Sequence, residues 1–385
     1  MQVCEICRRG KAASVLGVCA ECLRSGLGEE LVREAHRRVR ERYGLPAEPP
    51  RERRERGGGE EGEKGAERES GGRGVVKCKI CANECELSEG ERGYCGLRMN
   101  IGGSLRFLAS PTRFSHATGA ETEGSEWGSG ENAGLFYAYY DALPTNCCAA
   151  WFCPGSAQRN KVNLAVFFYG CNFNCLFCQN ATHKDLSRAS RHTVSDFVAL
   201  ASRQDVYCVC FFGGSPEPQL PFAIRASESI EGVRICWEWN GCGNRSLVRK
   251  AAEISLRSGG IVKFDLKAFD PHLSEALCGV PNKQAYENFE MIANEFFEGS
   301  DPPVLTATTL LVPFYVDEIE VSRIAEFIAS INDEIPYSLL VFHPDFYMRD
   351  LPITPKSQVK RCYEAAKRYL KHVNIGNKHL LAFAE

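Results

Sequence analysis

Three cysteines, Cys171, Cys175 and Cys178, stand in the stretch YGCNFNCLFCQN. Their C-x3-C-x2-C spacing gathers three thiolates on one loop. A [4Fe–4S] cube closed by protein takes four cysteines. Three leave one iron without a protein ligand and open to a small molecule. The alternative is a zinc ion completed by a distant residue. Cys4, Cys7, Cys19 and Cys22 form C-x2-C-x11-C-x2-C. That spacing suits a closed knuckle holding zinc or a rubredoxin-like iron, whose binding supplies folding energy to a module with little core. Cys78, Cys81, Cys85 and Cys95 form C-x2-C-x3-C-x9-C, compatible with zinc, mononuclear iron or an auxiliary [4Fe–4S] cluster. Cys147, Cys148 and Cys153 could supply a ligand to either neighbouring site. The remaining cysteines lie in or beside apolar runs and read as buried small hydrophobes. Cys242 is the exception, because its loop is expected to face the site.

The chain has 385 residues, 20 of them cysteine, and a formal net charge of −3. Stepped C-x2-C and C-x3-C groups point thiolates at common centres, which argues for metal sites over a secreted disulfide framework. The N-terminus carries CEIC where a leader's apolar run would stand. No apolar stretch approaches the roughly 18 residues of a membrane-spanning helix. The expectation is a cytoplasmic protein with no membrane partner, in a compartment protected from oxygen. The charge gives no case for nucleic acid.

These residues must be positioned by elements that the patterning suggests. A knuckle with a charged helix, Glu29 to about Tyr43, occupies residues 1–46. Residues 47–74 are rich in Pro, Arg, Glu and Gly and read as a flexible linker. The interleaved glutamates make the run from Arg51 to Arg56 a solvated tether rather than a nucleic-acid arm. Residues 75–160 form a cysteine-rich accessory region, irregular from about 111. From residue 161 to 385 apolar runs alternate with helix-like stretches. Strands are expected at about 163–169, 206–212, 233–239, 261–266, 304–311 and 338–342. Helices are expected near 193–203, 246–257, 284–297, 319–331 and 355–371. Such alternation means parallel strands with crossover helices. Six units are too few for a closed eight-fold barrel, so the expected fold is α/β, a partial (β/α)6 barrel. The cysteine loop would follow its first strand, at the end where sites collect in such folds.

The motif and its setting resemble radical SAM enzymes over residues 161–385. The resemblance implies a [4Fe–4S] cluster on Cys171, Cys175 and Cys178, with S-adenosylmethionine (SAM) on the open iron. One electron passed to the sulfonium would break a C–S bond and leave a 5′-deoxyadenosyl radical. It places Phe177 against the adenine. FFGGSPEP (211–218) resembles the family's Gly-Gly-Glu region, which assigns Gly213, Gly214 and the acidic Glu217 to the SAM ammonium. FDLKAFD (264–270) resembles the Asp-Leu-Lys motif of glycyl-radical activating enzymes, so Asp265 and Lys267 would lie near SAM. His343 in VFHPD resembles the same group's late histidine. WNGCGN (239–244) carries Trp239 where the family has Thr, which implies a reshaped pocket. CKICANECELSEGERGYCGLR, FCPGS and GCNFNCLFCQN are similar to the AmmeMemoRadiSam branch, relatives of pyruvate formate-lyase activating enzyme. The N-terminal knuckle resembles an extended form found in methanogenic archaea.

The resemblance implies hydrogen abstraction from a protein or peptide, with an electron donor such as ferredoxin or flavodoxin. Three outcomes stand open. The favoured one is cobalamin-dependent C-methylation of a glutamine Cα in methyl-coenzyme M reductase. No Asp-x-His-x-x-Gly cobalamin motif is present, and FDPHLSE lacks the spacing, so cobalamin would need a pocket built by the aromatic-rich 135–153 segment. The second is activation of a glycyl-radical enzyme, and the third a non-catalytic metal-rich scaffold. No catalytic acid or base is named by the sequence, and the chemistry does not require one.

Overall fold

The computed structural model describes residues 1–51, 74–108 and 132–384. Most of the expected linker, residues 52–73, lies outside the described residues, as do residues 109–131 of the stretch read as irregular. The linker's first residues are tied down. The Pro50 carbonyl accepts the Glu86 N–H at 3.0 Å, and Arg51 donates to the Glu84 carbonyl at 2.9 Å.

The N-terminal knuckle is a short antiparallel hairpin, β1 (Gln2–Val3) and β2 (Lys11–Ala12), followed by α1 (Ala20–Arg24) and α2 (Glu29–Glu41). Helix α2 forms because Ala35, His36, Val39 and Arg40 recur at helical spacing and bury one face. Its other face carries exposed pairs such as Arg33–Glu29 at 2.7 Å, each worth only a few tenths of a kcal/mol. Two further hairpins stand in the first part of the accessory region: β3 (Val76–Lys77) with β4 (Glu86–Leu87), and β5 (Arg98–Ile101) with β6 (Ser104–Phe107).

The rest builds on one nine-stranded sheet. In chain order its elements are β7 (Ala133–Ala142), β8 (Val162–Phe168), β9 (Arg191–Thr193), α3 (Val194–Ala201), β10 (Val206–Phe211), α4 (Leu220–Glu228), β11 (Arg234–Trp239) and α5 (Arg245–Ser258). There follow β12 (Val262–Asp265), α6 (Pro271–Cys278), α7 (Lys283–Ile292), β13 (Leu305–Leu311), α8 (Glu318–Ile331), β14 (Tyr337–Val341), α9 (Lys356–Lys367) and β15 (Val373–Gly376). The strand order is β15-β14-β13-β12-β11-β10-β8-β7-β9. The seven strands from β15 to β8 are parallel, and β7 and β9 close the far edge antiparallel. The fold is mixed α/β with a large parallel sheet left open between its edges, as expected.

Three details differ from the sequence reading. A seventh parallel strand, β15, follows the expected six. Strand β7 runs through a segment read as irregular, pairing Tyr137 with Phe167 and Tyr139 with Ala165. Helices α4 and α6 are only nine and eight residues long and were hidden by their prolines. On the helix-covered side of the sheet, Phe136, Phe168, Phe197, Phe211, Phe222 and Trp237 are fully buried and pack ring on ring. Alternate residues of the same strands point the other way, into the lumen. There the lane is polar: Asn163, Cys208, Cys210, Cys236, Glu238, Lys263 and Asp265. Among the described residues, no helix is long and apolar enough to cross a membrane.

Candidate functional site

A cleft of about 190 Å³ opens at the C-terminal ends of the parallel strands. The loop after β8 brings Cys171, Cys175 and Cys178 to its wall, each partly exposed, with Phe177 beside them. The loop after β10 adds Gly213 and Gly214, and β12 with its following loop adds Asp265 and Lys267. Trp239 and Asn240 complete that side. Of the residues singled out by sequence, Glu217 and His343 do not line the cleft. Glu217 is fully buried beneath the glycine loop, where it accepts the Gly241 N–H at 2.8 Å and the Ser215 hydroxyl. Burial pushes its pKa up to about 7. Its role here is to tie two cleft loops together. His343 is half exposed and faces Asp345 at 3.0 Å. Cys242 is buried with its sulfur toward the Pro281 carbonyl at 3.8 Å, away from the cleft.

Gly213 and Gly214 have φ of +67° and +59°, and a Cβ on Gly214 would stand 1.8 Å from the Phe168 carbonyl oxygen. Only glycine permits that approach, and it leaves backbone exposed toward the cleft. Lys267 is 12 % exposed, pairs with Asp265, and holds Nζ 5.7 Å from the Phe177 ring centroid. Burial opposes its charge, but Asp265 and the Cys175 thiol outweigh that and hold its pKa above the usual lysine value.

The cysteine loop is held by residues that its motif does not advertise. The Asn174 and Leu176 N–H groups donate to the Cys278 and Leu277 carbonyls at the end of α6, at 2.7 and 3.0 Å. Asn172 and Asn240 exchange amide hydrogen bonds, and Asn240 also donates to Ser215 at 2.8 Å. Lys184, 3 % exposed, donates to Asn174 at 3.0 Å. Asn174 in turn donates to His36 Nδ1 at 2.8 Å, and His36 Nε2 donates to the Ala276 carbonyl at 3.0 Å. Burial draws His36 down to about 4, so it is the neutral tautomer this chain of bonds needs. Burial pushes Cys171 up to about 12 and Cys178 up to about 11, whereas the Cys278 thiol, with Lys267 and Lys184 beyond it, draws Cys175 down to about 7. The asparagines of GCNFNC were the one signal in the sequence: small polar residues between ligands, with nowhere to go but the interior.

The accessory region packs against the same loop. Asn83 donates to the Asn172 carbonyl at 2.8 Å, and Ala82 N–H to the Cys242 carbonyl at 2.9 Å. Arg40 of α2 lies over the Tyr94 ring, 3.4 Å from its centroid. All these segments meet at Gly279, φ +77°, where a Cβ would stand 2.9 Å from His36 Nδ1, 3.1 Å from the Tyr94 hydroxyl and 3.2 Å from Asn174 Cβ.

The cysteine sets differ in geometry. In the knuckle, Cys4 and Cys22 sulfurs are 3.9 Å apart and Cys7 and Cys19 sulfurs 3.7 Å, with all four within 4.8 Å of one another. A tetrahedral ion with metal–sulfur bonds of about 2.3 Å has sulfur–sulfur edges of about 3.8 Å, so these residues fit one zinc or iron. Among the described residues one other group converges as tightly, Cys147, Cys148 and Glu238. Neither the cleft trio nor the buried Cys78, Cys81, Cys85 and Cys95 brings three sulfurs within 4.8 Å of one another. Cys147, Cys148 and Cys153 serve neither neighbouring site. Their loop folds under the barrel, where Trp151 donates to Ser338 at 3.0 Å and Ser338 to the Cys148 carbonyl at 2.8 Å.

Residues 165–328 match the Radical SAM superfamily. This part of the chain is a radical SAM domain. The chain is similar to an uncharacterized protein of Methanocaldococcus jannaschii, 27 % identical over 78 % of this chain and 81 % of that one. The isethionate sulfite-lyase activating enzyme of Desulfovibrio desulfuricans is 31 % identical over 34 % of this chain and 40 % of its own length. The pyruvate formate-lyase 1-activating enzyme of Escherichia coli is 24 % identical over 49 % of this chain and 77 % of its own. The radical SAM domain is thus related to glycyl-radical activating enzymes. Its cysteine-lined cleft has the donor set for an iron–sulfur cluster: three thiols partly open to the cleft, flanked by the ammonium groups of Lys184 and Lys267.

Proposed function

We propose that this protein cleaves SAM at a [4Fe–4S] cluster on Cys171, Cys175 and Cys178 and abstracts a hydrogen from the backbone of a polypeptide. The observation that supports this most is the convergence of three thiols, a glycine-exposed backbone, a Lys–Asp pair and an aromatic ring in one cleft. When bound, cluster and SAM supply a one-electron cleavage of the sulfonium and with it a hydrogen-abstracting 5′-deoxyadenosyl group. The protein's own residues bind and orient. Lys267 offers its ammonium to the SAM carboxylate, and Gly213 and Gly214 offer backbone to its amino group. Phe177 gives the adenine an apolar face. Lys184 offsets the negative charge of the ligated cluster, and the barrel wall excludes water. In this reading Glu217 acts on the pocket through the loops it ties, by its bonds to Gly241 and Ser215. The Cys78 set would hold an accessory metal or cluster, Cys4 to Cys22 a structural ion, and ferredoxin or flavodoxin would deliver the electron.

As the fate of the substrate radical, we favour cobalamin-dependent methylation of a glutamine Cα in methyl-coenzyme M reductase over activation of a glycyl-radical enzyme. The activating enzymes account for at most half of this chain, whereas the Methanocaldococcus protein accounts for 78 % of it. The knuckle and accessory region brace the cluster loop, so the difference reaches the site. Exposed Tyr137 and Tyr139 lead through Phe167 to Phe212 at the cleft, a row of ring faces on which a corrin could lie. The test is anaerobic turnover with SAM, reductant and a peptide spanning the reductase glutamine, with and without hydroxocobalamin. 5′-Deoxyadenosine and S-adenosylhomocysteine together, only with cobalamin, plus the mass gain of one methylene on the peptide, are expected. Deoxyadenosine alone under every condition would leave the activating reading. Neither product would sink both.

A further inference from the structure

The lumen continues below the cleft. Residues 143–156 close it from beneath, and a cavity of about 80 Å³ remains between that floor and the strands. Cys147 lines this cavity from the floor and Glu238 from β11, with the buried Cys148 directly behind Cys147. The two sulfurs and a Glu238 carboxylate oxygen all lie within 4.8 Å of one another. Lys263 of β12, 2 % exposed, stands beside them, with Nζ 3.5 Å from Cys147 Sγ, 3.5 Å from the Glu238 carboxylate and 2.9 Å from Cys210 Sγ.

We infer that Cys147, Cys148 and Glu238 form a binding site for a thiophilic divalent cation of the zinc class, a site distinct from the three spaced cysteine sets. Three arguments carry it. The donors are two soft sulfurs and one oxygen at a separation one ion can span, the ligand types zinc accepts. The charges close: two thiolates and a carboxylate carry −3, a divalent ion and the Lys263 ammonium +3. A buried centre needs that neutrality. Finally, Lys263 does not satisfy Glu238 by itself. Their 3.5 Å separation exceeds the about 2.7–2.9 Å of a charge-assisted hydrogen bond, so both groups stand around a common space rather than against each other. Three protein ligands leave a fourth position, and the cavity has room there for a water. Glu238 also lines the cleft above, so the ion would sit directly under the reaction chamber.

The test uses full-length protein purified without oxygen and incubated with zinc. Zinc and iron per chain are measured by elemental mass spectrometry in wild type, Glu238→Gln, the Cys147→Ser/Cys148→Ser double variant, and Cys208→Ser, a lumen cysteine outside the ligand set. Expected is the loss of one zinc per chain in the first two variants, with iron and far-UV circular dichroism unchanged and Cys208→Ser like wild type. Cobalt(II) is expected to give wild type an added thiolate charge-transfer band that both variants lack. Glu238→Gln is isosteric and carries the test if the double variant misfolds. Equal zinc in wild type and Glu238→Gln at matched iron, or a Cys147–Cys148 disulfide in the anaerobic protein, overturns the site.

Discussion

In the knuckle, four sulfurs close on one another at 3.7 and 3.9 Å, and the module is bolted to the barrel from outside. Tyr315 accepts the Ala13 N–H and donates to the Val18 carbonyl, while Arg24 reaches Asp317 at 2.7 Å and buried Glu320 at 3.0 Å. In the cleft, three thiols stand apart and partly exposed, and their order comes from Asn172, Asn174, Lys184 and the end of α6. A closed site uses every ligand to hold chain together. An open one must leave a coordination position free, so its rigidity has to come from neighbours that are not ligands.

The strongest way to break this contrast is Cys178→Ala. Cluster iron and 5′-deoxyadenosine formation are expected to fall to background while the knuckle keeps its ion, measured by iron, zinc and product assays on one preparation. Next is Cys22→Ser, expected to lose one metal per chain and unfold residues 1–27. Amide exchange should rise there and stay low in β8 and β10; a uniform rise would mean that the knuckle and barrel fold as one unit. Third is the pH response of the open site's support. Burial holds Glu217 at about 7 in the fold against an ordinary 4.5, so the native state keeps a proton the unfolded chain releases. Its stabilising contribution is full below about pH 4.5 and is lost as pH rises through 7, a change of about 3 kcal/mol. Urea unfolding at several pH values should show wild type losing that stability relative to Glu217→Gln; parallel curves would refute it. Smallest is Lys267→Ala. Removing one charged contact of roughly 2 kcal/mol should weaken SAM binding about thirtyfold with cluster iron unchanged, read by equilibrium titration.

The parallel strands were legible because each is a short run rich in apolar and β-branched residues, such as VYCVCF and LTATTLL, alternating with helix-like stretches. Strand β7 was not, because its aromatic run AGLFYAYYDA follows a Gly-, Ser- and Glu-rich stretch and was read with it as irregular. The cleft trio was legible from spacing. The residues that hold it were not, since Asn174 meets His36 and Lys184 through folding alone. The barrel floor has its own trace in the strands above it. In VYCVCF, RICWEW and VKFD, Cys208, Cys210, Cys236, Glu238, Lys263 and Asp265 alternate with apolar residues, the period-two mark of a polar lumen. Glu217 taught the reverse lesson, since an acid beside two glycines can serve the loops rather than a ligand.

Gly279 joins segments that leave the ribosome at very different times. His36 and Tyr94 are synthesised well before Asn174, and Gly279 comes last. Domains fold from the N-terminus as synthesis proceeds. The knuckle's four cysteines are all made before the barrel begins, although Tyr315 and Glu320, which anchor the knuckle, come later. The cysteine loop emerges without its clamp and gains it only when α6 arrives. The support of the cysteine loop is therefore complete only once α6 and Gly279, a residue that has no side chain, have emerged.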